Sequence, residues 1–174
     1  YEDAVKIAKH VGYVNAGTLE FLVDREGHHY FIEMNPRIQV EHTVTEMVTG
    51  VDLVRSQILI AEGCPLSDPR IGIRKQSDLH LNGYADTGKI TSYRSPGGFG
   101  VRLDAATAGV GSEISPYYDS LLLKVTTWDN TFQGVCLKAG RAIREIHIRG
   151  VKTNIAFISN ILQNPTFLAG GCHT

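Results

Sequence analysis

The chain has 174 residues, of which 43% are hydrophobic, and a formal net charge of −1 at pH 7. A chain of this length and composition can fold around a hydrophobic core. Its lysines and arginines are dispersed, and no apolar stretch is long enough to span a bilayer. We therefore expect neither nucleic acid nor a membrane as a partner.

The cysteines exclude two further classes of protein. They are odd in number, widely spaced and without a C-x-x-C pair: Cys64, Cys136 and Cys172. A disulfide framework or a structural zinc site needs paired spacings, so we expect reduced thiols. The first residues also lack the pattern of a secretory signal peptide. We expect a cytoplasmic protein, or one of the mitochondrial matrix if the organism is eukaryotic.

The first predicted elements are an amphipathic helix and a β-hairpin. The helix begins the chain, and its predicted buried stripe consists of Val5, Ala8 and Val11. Residues 17–23 alternate like a half-buried strand, and the Asp-Arg-Glu-Gly of residues 24–27 supplies turn residues. Residues 28–35 then return as the second strand.

The register of this hairpin predicts a cluster of oxygen donors. In the simplest pairing Glu20 lies opposite Glu33, and Asn35 shares the face of Glu33 because side chains alternate with a period of two. Two opposed carboxylates repel each other, so a cation between them would explain the arrangement. Carboxylate and carboxamide oxygens suit Mg²⁺ or Mn²⁺ better than zinc. A solvated edge with scattered carboxylates is the alternative interpretation.

The segment after the hairpin predicts an anion site with a base. The planar guanidinium of Arg37 suits a carboxylate, a phosphate or bicarbonate. Gln39 can donate and accept hydrogen bonds nearby, and Glu41 is the carboxylate left for general-base chemistry. We expect His42, at the start of the next helix, to be structural rather than a second base.

Two helices and a boundary follow. The spacing from Thr43 to Glu46 is that of a capping box, which predicts a helix that ends at Gly50, and Asp52 is placed to cap the next helix. A loop with Asp-Pro and glycine then separates two predicted domains. Their bounds are residues 1–66 and 67–174.

The second part of the chain predicts short strands and helices. The predicted strands are residues 89–93, 101–103, 121–127 and 146–149, and Thr131 and Asn154 are each predicted to cap a helix. The glycine-rich turn at residues 97–100 favours a hairpin over a phosphate loop, because no Lys-Ser/Thr pair follows it. Charged residues near these strands, including Arg102 and Asp119, are expected to pair structurally. The predicted fold class is α+β.

These motifs resemble the biotin carboxylase component of biotin-dependent carboxylases. Several separate segments carry the resemblance in the family's order over nearly the whole chain: residues 17–22, 31–50, 86–90, 93–104, 115–122 and 148–155. The last segment is most similar to the members that carboxylate pyruvate. The resemblance implies the C-terminal portion of an ATP-grasp domain followed by a biotin carboxylase C-terminal subdomain with a mixed β-sheet and helices.

The family's activity implies a role for the hairpin. Its members are ATP-dependent ligases that make carboxyphosphate from ATP and bicarbonate and transfer the carboxyl group to biotin. Glu20 and Glu33 match the glutamates that hold Mg²⁺ on the phosphates of ATP. Asn35 matches the amide beside them.

The resemblance also implies roles for the segment that follows. Arg37 matches the arginine that clamps bicarbonate, while Gln39 and the backbone of Val40 match further bicarbonate contacts. Glu41 matches the base that deprotonates bicarbonate. These implied roles agree with the chemistry expected from the residue types alone.

Several partners are implied as well. They are the N-terminal part of the biotin carboxylase region with its ATP lid, a biotin carrier domain or protein, carboxyltransferase domains, and further copies in a homo-oligomer. Without the lid we expect this chain to be inactive in isolation. The family also has a strand with a catalytic arginine and an acidic loop between the counterparts of Ala85 and Asp86, which are adjacent here. We expect that segment to be missing from a longer enzyme.

Two other functions remain open from the sequence. One is a degenerate module that keeps the fold for assembly, against which the intact Glu20, Glu33, Arg37 and Glu41 count. The other is an amide-forming ATP-grasp ligase, which would share the metal carboxylates. Such an enzyme has no evident need for the arginine, glutamine and glutamate that follow the hairpin.

Overall fold

The computed structural model describes residues 1–73, 88–115, 117 and 120–172. The chain divides into two compact units, residues 1–80 and 81–174. Each unit mixes helices and strands, which confirms the predicted α+β class. Within the described residues, no helix has the length and apolar character needed to cross a membrane.

The first unit contains the predicted helix, hairpin and helix pair. Its elements are α1 (Glu2–His10), β1 (Thr18–Val23), β2 (His29–Asn35), α2 (His42–Thr49) and α3 (Leu53–Ala61). Strands β1 and β2 are antiparallel. The turn between them depends on Gly27, whose φ of +86° lies in the left-handed region that glycine adopts without strain.

The hairpin has the predicted register only near the candidate site. Glu20 lies opposite Glu33, as predicted, but Phe21 pairs with Phe31, so Ile32 is an extra residue on β2. This bulge makes the predicted register wrong between Phe21 and the turn. The Phe21 and Phe31 rings meet edge to face, with centroids 5.8 Å apart.

Helix α2 begins differently from the prediction. Its first residue is His42, and Glu41 is the N-cap residue without a side-chain capping bond. The predicted capping box is wrong because Glu46 accepts a hydrogen bond from the backbone N–H of Leu53 at 2.8 Å instead. This contact ties α2 to the start of α3, which Asp52 caps as predicted.

The small core of the first unit lies around α2 and α3. Its buried residues are Thr43, Val51, Ser56, Leu59 and Ile71. Helix α1 has no buried residue, and Val5 and Val11 are 51% and 61% exposed. The predicted buried stripe is therefore wrong for this chain, since periodicity identifies an apolar helix face but not what covers it.

The second unit consists of short antiparallel strand pairs and helices. Its elements are β3 (Gly88–Lys89), β4 (Ser92–Arg94), β5 (Val101–Ala105), β6 (Glu113–Ile114), β7 (Leu123–Thr127), α4 (Phe132–Glu145), β8 (His147–Arg149), α5 (Ile155–Ile161) and α6 (Pro165–Leu168). The pairs are β3 with β6, β4 with β8, and β5 with β7. Thr131 caps α4 by accepting from the N–H of Gly134 at 3.0 Å, as predicted.

Three predictions for the second unit are wrong. Asn154 is predicted to cap α5, but its side chain makes no capping hydrogen bond. The strand predicted over residues 89–93 is divided between β3 and β4, and Ile90 between them is 1% exposed. The glycine-rich turn does not join a hairpin, because β4 pairs with β8 while β5 pairs with β7. Arg102 does pair structurally, with Asp104 at 3.0 Å. The Ala85–Asp86 junction and Asp119 lie outside the described residues.

Candidate functional site

Three predicted oxygen donors meet on one face of the β1–β2 hairpin. The Nδ2 of Asn35 donates to Glu20 Oε1 at 3.0 Å and to Glu33 Oε1 at 3.1 Å. Glu20 and Asn35 are half-buried, and Glu33 is exposed. The prediction that these side chains share a face is therefore confirmed.

The donor set fits a hard divalent cation. One neutral amide bridges two carboxylates, so it satisfies two acceptors but cannot cancel two negative charges. Two carboxylates with an adjacent amide are a usual oxygen donor set for Mg²⁺ or Mn²⁺. In this arrangement Asn35 turns its N–H₂ group toward the carboxylates, so its oxygen would become a metal ligand only after a flip of the amide.

Arg37 lies next to this cluster with its charge uncompensated. Its guanidinium donates to the carbonyl oxygen of Ile38 at 3.3 Å and to Asn35 Oδ1 at 3.4 Å. Both acceptors are neutral, both contacts are long, and the side chain has no carboxylate partner within the described part of the chain. An exposed guanidinium in this state is suited to bind an anion.

Gln39 connects the carboxylates to the loop that follows β2. Its Nε2 lies 3.5 Å from Glu20 Oε1, at the limit of a hydrogen bond. Its Oε1 is buried and has no hydrogen-bond partner among the described residues. An unsatisfied buried acceptor is costly, so a donor supplied by a ligand would stabilise this side chain.

The side chain of Glu41 makes no hydrogen bond or ion pair within the described residues. As the N-cap residue of α2 it makes no side-chain capping bond, and its side chain is half-buried. Arg37, Gln39 and Glu41 all line a cavity of about 510 Å³. The lining of this cavity does not include Glu20, Glu33, Asn35 or Val40. From β1 it includes Leu19 and Phe21, whose side chains lie on the face of the strand opposite to that of Glu20.

The sequence interpretation missed a second group of polar side chains at the hairpin turn. Asp24, Glu26 and His28 place potential metal-ligating atoms within 4.8 Å of one another. Partial burial raises the pKa of Asp24, but hydrogen bonds from His28 and Tyr30 outweigh it and leave that pKa below its usual value. These bonds stabilise the turn, and Glu26 and His28 are exposed.

Comparison with protein families assigns both parts of the chain. Residues 1–69 match the family described as carbamoyl-phosphate synthase L chain, ATP binding domain. Residues 76–174, more than half of the chain, match the family described as biotin carboxylase C-terminal domain. The chain therefore belongs to the biotin carboxylase family, as the resemblance of its motifs predicted.

Pyruvate carboxylases are among the proteins similar to this chain. The chain is 50% identical to pyruvate carboxylase of Bacillus subtilis over 185 residues, which cover 97% of this chain and 16% of that protein. It is 52% identical to mitochondrial pyruvate carboxylase of Homo sapiens over 188 residues, which cover 99% of this chain and 16% of that protein. The chain thus spans about one sixth of the length of these relatives.

Solved structures agree with this relationship. Rhizobium etli pyruvate carboxylase with the allosteric activator acetyl coenzyme A has a TM-score of 0.85 and 45% identity, over 96% of this chain and 18% of that chain. The biotin carboxylase domain dimer of Hydrogenobacter thermophilus 2-oxoglutarate carboxylase has a TM-score of 0.83 and 42% identity. That match covers 96% of this chain and 39% of that chain, and the structure is a complex with MgADP, ADP and bicarbonate.

Proposed function

We propose that this chain is part of a biotin-dependent carboxylase of the pyruvate carboxylase type. Such an enzyme is an ATP-dependent ligase that carboxylates biotin with bicarbonate, and other domains pass the carboxyl group to pyruvate. The observation that carries the proposal is the opposed pair of Glu20 and Glu33, with the uncompensated Arg37 beside it. The identity of about one half to pyruvate carboxylases supports the choice of acceptor.

The hairpin is proposed to hold the metal and the nucleotide. Glu20 and Glu33 would bind Mg²⁺ or Mn²⁺ together with the phosphates of ATP, and Asn35 would orient the two carboxylates or join them as a ligand. The metal ion would offset negative charge on the transferred phosphoryl group. The MgADP in the Hydrogenobacter relative supports this choice of ligand.

The following loop is proposed to bind and activate bicarbonate. Arg37 would pair with the anion, and the Nε2 of Gln39 would donate to one of its oxygens. The backbone of Val40 would supply a further contact. Glu41 would accept the bicarbonate proton while a bicarbonate oxygen attacks the γ-phosphorus of ATP and ADP leaves, which forms carboxyphosphate.

The rest of the catalytic apparatus is proposed to lie elsewhere in a longer protein. It includes the N-terminal part of the biotin carboxylase region, a carrier for biotin, and carboxyltransferase domains, in a homo-oligomer. The share of about one sixth of each pyruvate carboxylase supports this proposal. We propose a cytoplasmic or mitochondrial-matrix location, which the free cysteines of the described residues and the mitochondrial relatives support.

The proposed domains are residues 1–66 and 67–174, with a segment missing between Ala85 and Asp86. The stretch matched to pyruvate carboxylase of Schizosaccharomyces pombe supports the missing segment. It is 189 residues long and covers this whole chain, which has only 174 residues. The relative therefore has room for about 15 additional positions, enough for a strand and a loop.

The test is ATP cleavage by the full-length protein with and without bicarbonate. We expect release of ADP that depends on bicarbonate and on Mg²⁺, with carboxylated biotin formed on the carrier. Cleavage that depends on an amine instead would favour an amide-forming ligase. Absence of both nucleotide binding and cleavage would favour a degenerate assembly module. The intact mass of the natural polypeptide, expected far above 19.1 kDa, tests the proposal that the chain is a fragment.

A further inference from the structure

We infer that His42 is a positioning residue for the proposed carboxylase site. Its imidazole ring lines the same cavity as Gln39 and Glu41 and fixes the loop that carries them. The reaction concerned is the one proposed above, and the inference rests on that proposal. All the contacts that support it lie within the first unit.

Hydrogen bonds along the loop between β2 and α2 differ in length. At its start the N–H of Arg37 donates to the carbonyl of Asn35 at 2.8 Å. In its middle the Gln39 side chain reaches Glu20 only at 3.5 Å. At its end the N–H of His42 donates to the carbonyl of Gln39 at 3.2 Å, the long end of the usual range.

The side chain of His42 supplies the shortest contact to this part of the loop. Its Nδ1 lies 2.8 Å from the carbonyl oxygen of Gln39, and the ring is half-buried. A carbonyl oxygen can only accept, so Nδ1 must carry the hydrogen of this bond. The Gln39 peptide is therefore held by two bonds from one residue, and the ring provides the shorter of them.

His42 can fix the loop because α2 is itself anchored. It is the first residue of α2, its neighbour Thr43 is fully buried, and Glu46 ties the helix to Leu53 of α3. The ring thus connects an anchored helix to the Gln39 peptide of the loop. The orientation of the Gln39 peptide determines where the side chains of Gln39 and Glu41 point.

This arrangement separates the effect of His42 from that of the metal ligands. Glu20 and Glu33 lie on paired strands and are bridged by Asn35, so the ring of His42 does not hold them. Loss of the ring should therefore weaken the use of bicarbonate much more than the binding of Mg-ATP. A general collapse of the fold would instead weaken both.

The experiment compares three substitutions of His42 in the full-length protein. His42→Leu removes the donor and is expected to raise the KM for bicarbonate about five- to tenfold, the effect of one hydrogen bond, with a smaller fall in kcat. The KM for ATP should change by less than about twofold. His42→Asn places an N–H₂ group as far from the backbone as Nδ1 is, and it should restore most of the loss. His42→Gln places its amide one bond further out and should not.

Thermal unfolding and Mg-ATP binding are measured on each variant to confirm an intact fold. If His42→Leu does not fold, the asparagine and glutamine variants decide the question by their difference. Equal activity of those two variants, or an equal rise in both KM values, would overturn the positioning role. If the unsubstituted protein shows no bicarbonate-dependent cleavage, the proposed function fails and the inference fails with it. If the unsubstituted protein shows bicarbonate-dependent cleavage and all three variants have the same KM values and kcat, the inference about His42 fails and the proposed function stands.

Discussion

The two units use their charged side chains differently. In the second unit several charged side chains form local ion pairs. Arg102 contacts Asp104 at 3.0 Å, and Lys138 contacts Asp129 at 2.9 Å while it also donates to the carbonyl of Trp128. Such pairs contribute modestly to stability and leave little charge available for a ligand.

The candidate site in the first unit has the opposite arrangement. Glu20 and Glu33 lie side by side with only an amide between them, and Arg37 contacts neutral oxygens. Some other charges of the same unit are paired, as in Asp68 with Arg70 at 2.8 Å. What distinguishes the site is that two opposed carboxylates and a guanidinium without an ion pair among the described residues lie next to each other. It leaves favourable interactions for a cation and an anion to make.

The largest effect is expected from Glu41→Gln in the full-length protein. The substitution removes the proposed base without removing a metal ligand, so bicarbonate-dependent ATP cleavage should fall about 10²- to 10⁴-fold. Mg-ATP binding, measured by titration calorimetry, should be almost unchanged. The matched control is Glu62→Gln at the end of α3, which should cleave ATP normally. An equal loss of nucleotide binding in Glu41→Gln would contradict its assignment as a base.

Ile90→Ala tests whether burial rather than charge stabilises the second unit. Ile90 is 1% exposed, so truncation should lower the free energy of unfolding by about 2 to 5 kcal/mol. The control in the first unit is Ile58→Ala, where the residue is 57% exposed and the expected loss is about 0.5 kcal/mol or less. Urea unfolding measures both changes. Similar losses for the two variants would show that the described burial does not determine stability.

Glu33→Gln tests whether the opposed carboxylates repel each other in the free protein and bind a metal with the nucleotide. Without metal, removal of one like charge should raise the free energy of unfolding by about a few tenths of a kcal/mol. With Mg-ATP present, the ligand-induced rise in Tm should be smaller, because one metal ligand is lost. The control is Glu26→Gln in the exposed hairpin turn, which should leave the nucleotide-induced rise in Tm unchanged. Loss of the nucleotide effect in both variants would argue against a metal site at Glu33.

The smallest effect is expected from Asp68→Asn. The hydrogen bonds and charge of Arg70 lower the pKa of Asp68 from 3.8 to about 2. Because the carboxyl pKa is lower in the folded than in the unfolded protein, the ionised Asp68 stabilises the fold at pH values above its unfolded pKa. This stabilisation is lost as the pH falls through about 2. Thermal unfolding should show a small deficit of the variant at neutral pH that disappears below about pH 2. A deficit independent of pH would indicate that Asp68 acts through packing.

The sequence was sufficient where local rules determine the structure. The turn residues after Val23 and the period of two were enough to predict that Glu20 lies opposite Glu33. Side-chain caps with no competing partner, such as Asp52 and Thr131, were also predicted correctly. The residue types of the loop after β2 predict an anion site with a base, and this stays a prediction; Arg37 has no carboxylate partner among the described residues.

Predictions failed where a partner distant along the chain decides the outcome. The capping box at Thr43 was wrong because Glu46 contacts Leu53, seven residues away. The hairpin at the glycine-rich turn was wrong because the partner of β4 is β8, more than 50 residues further on. The contact of His42 with the Gln39 carbonyl was not predicted, since several short-range acceptors were equally available to the ring.

The extra residue Ile32 on β2 has a consequence for how this hairpin tolerates change. In a regular ribbon, a one-residue insertion in the turn would move every following side chain to the other face. Here the pairing is already interrupted between the turn and the two glutamates, so a length change at residues 24–27 can be absorbed before it reaches them. The tip of the hairpin is therefore a suitable place to attach a fluorescent label or a short tag, with the paired acids left in place.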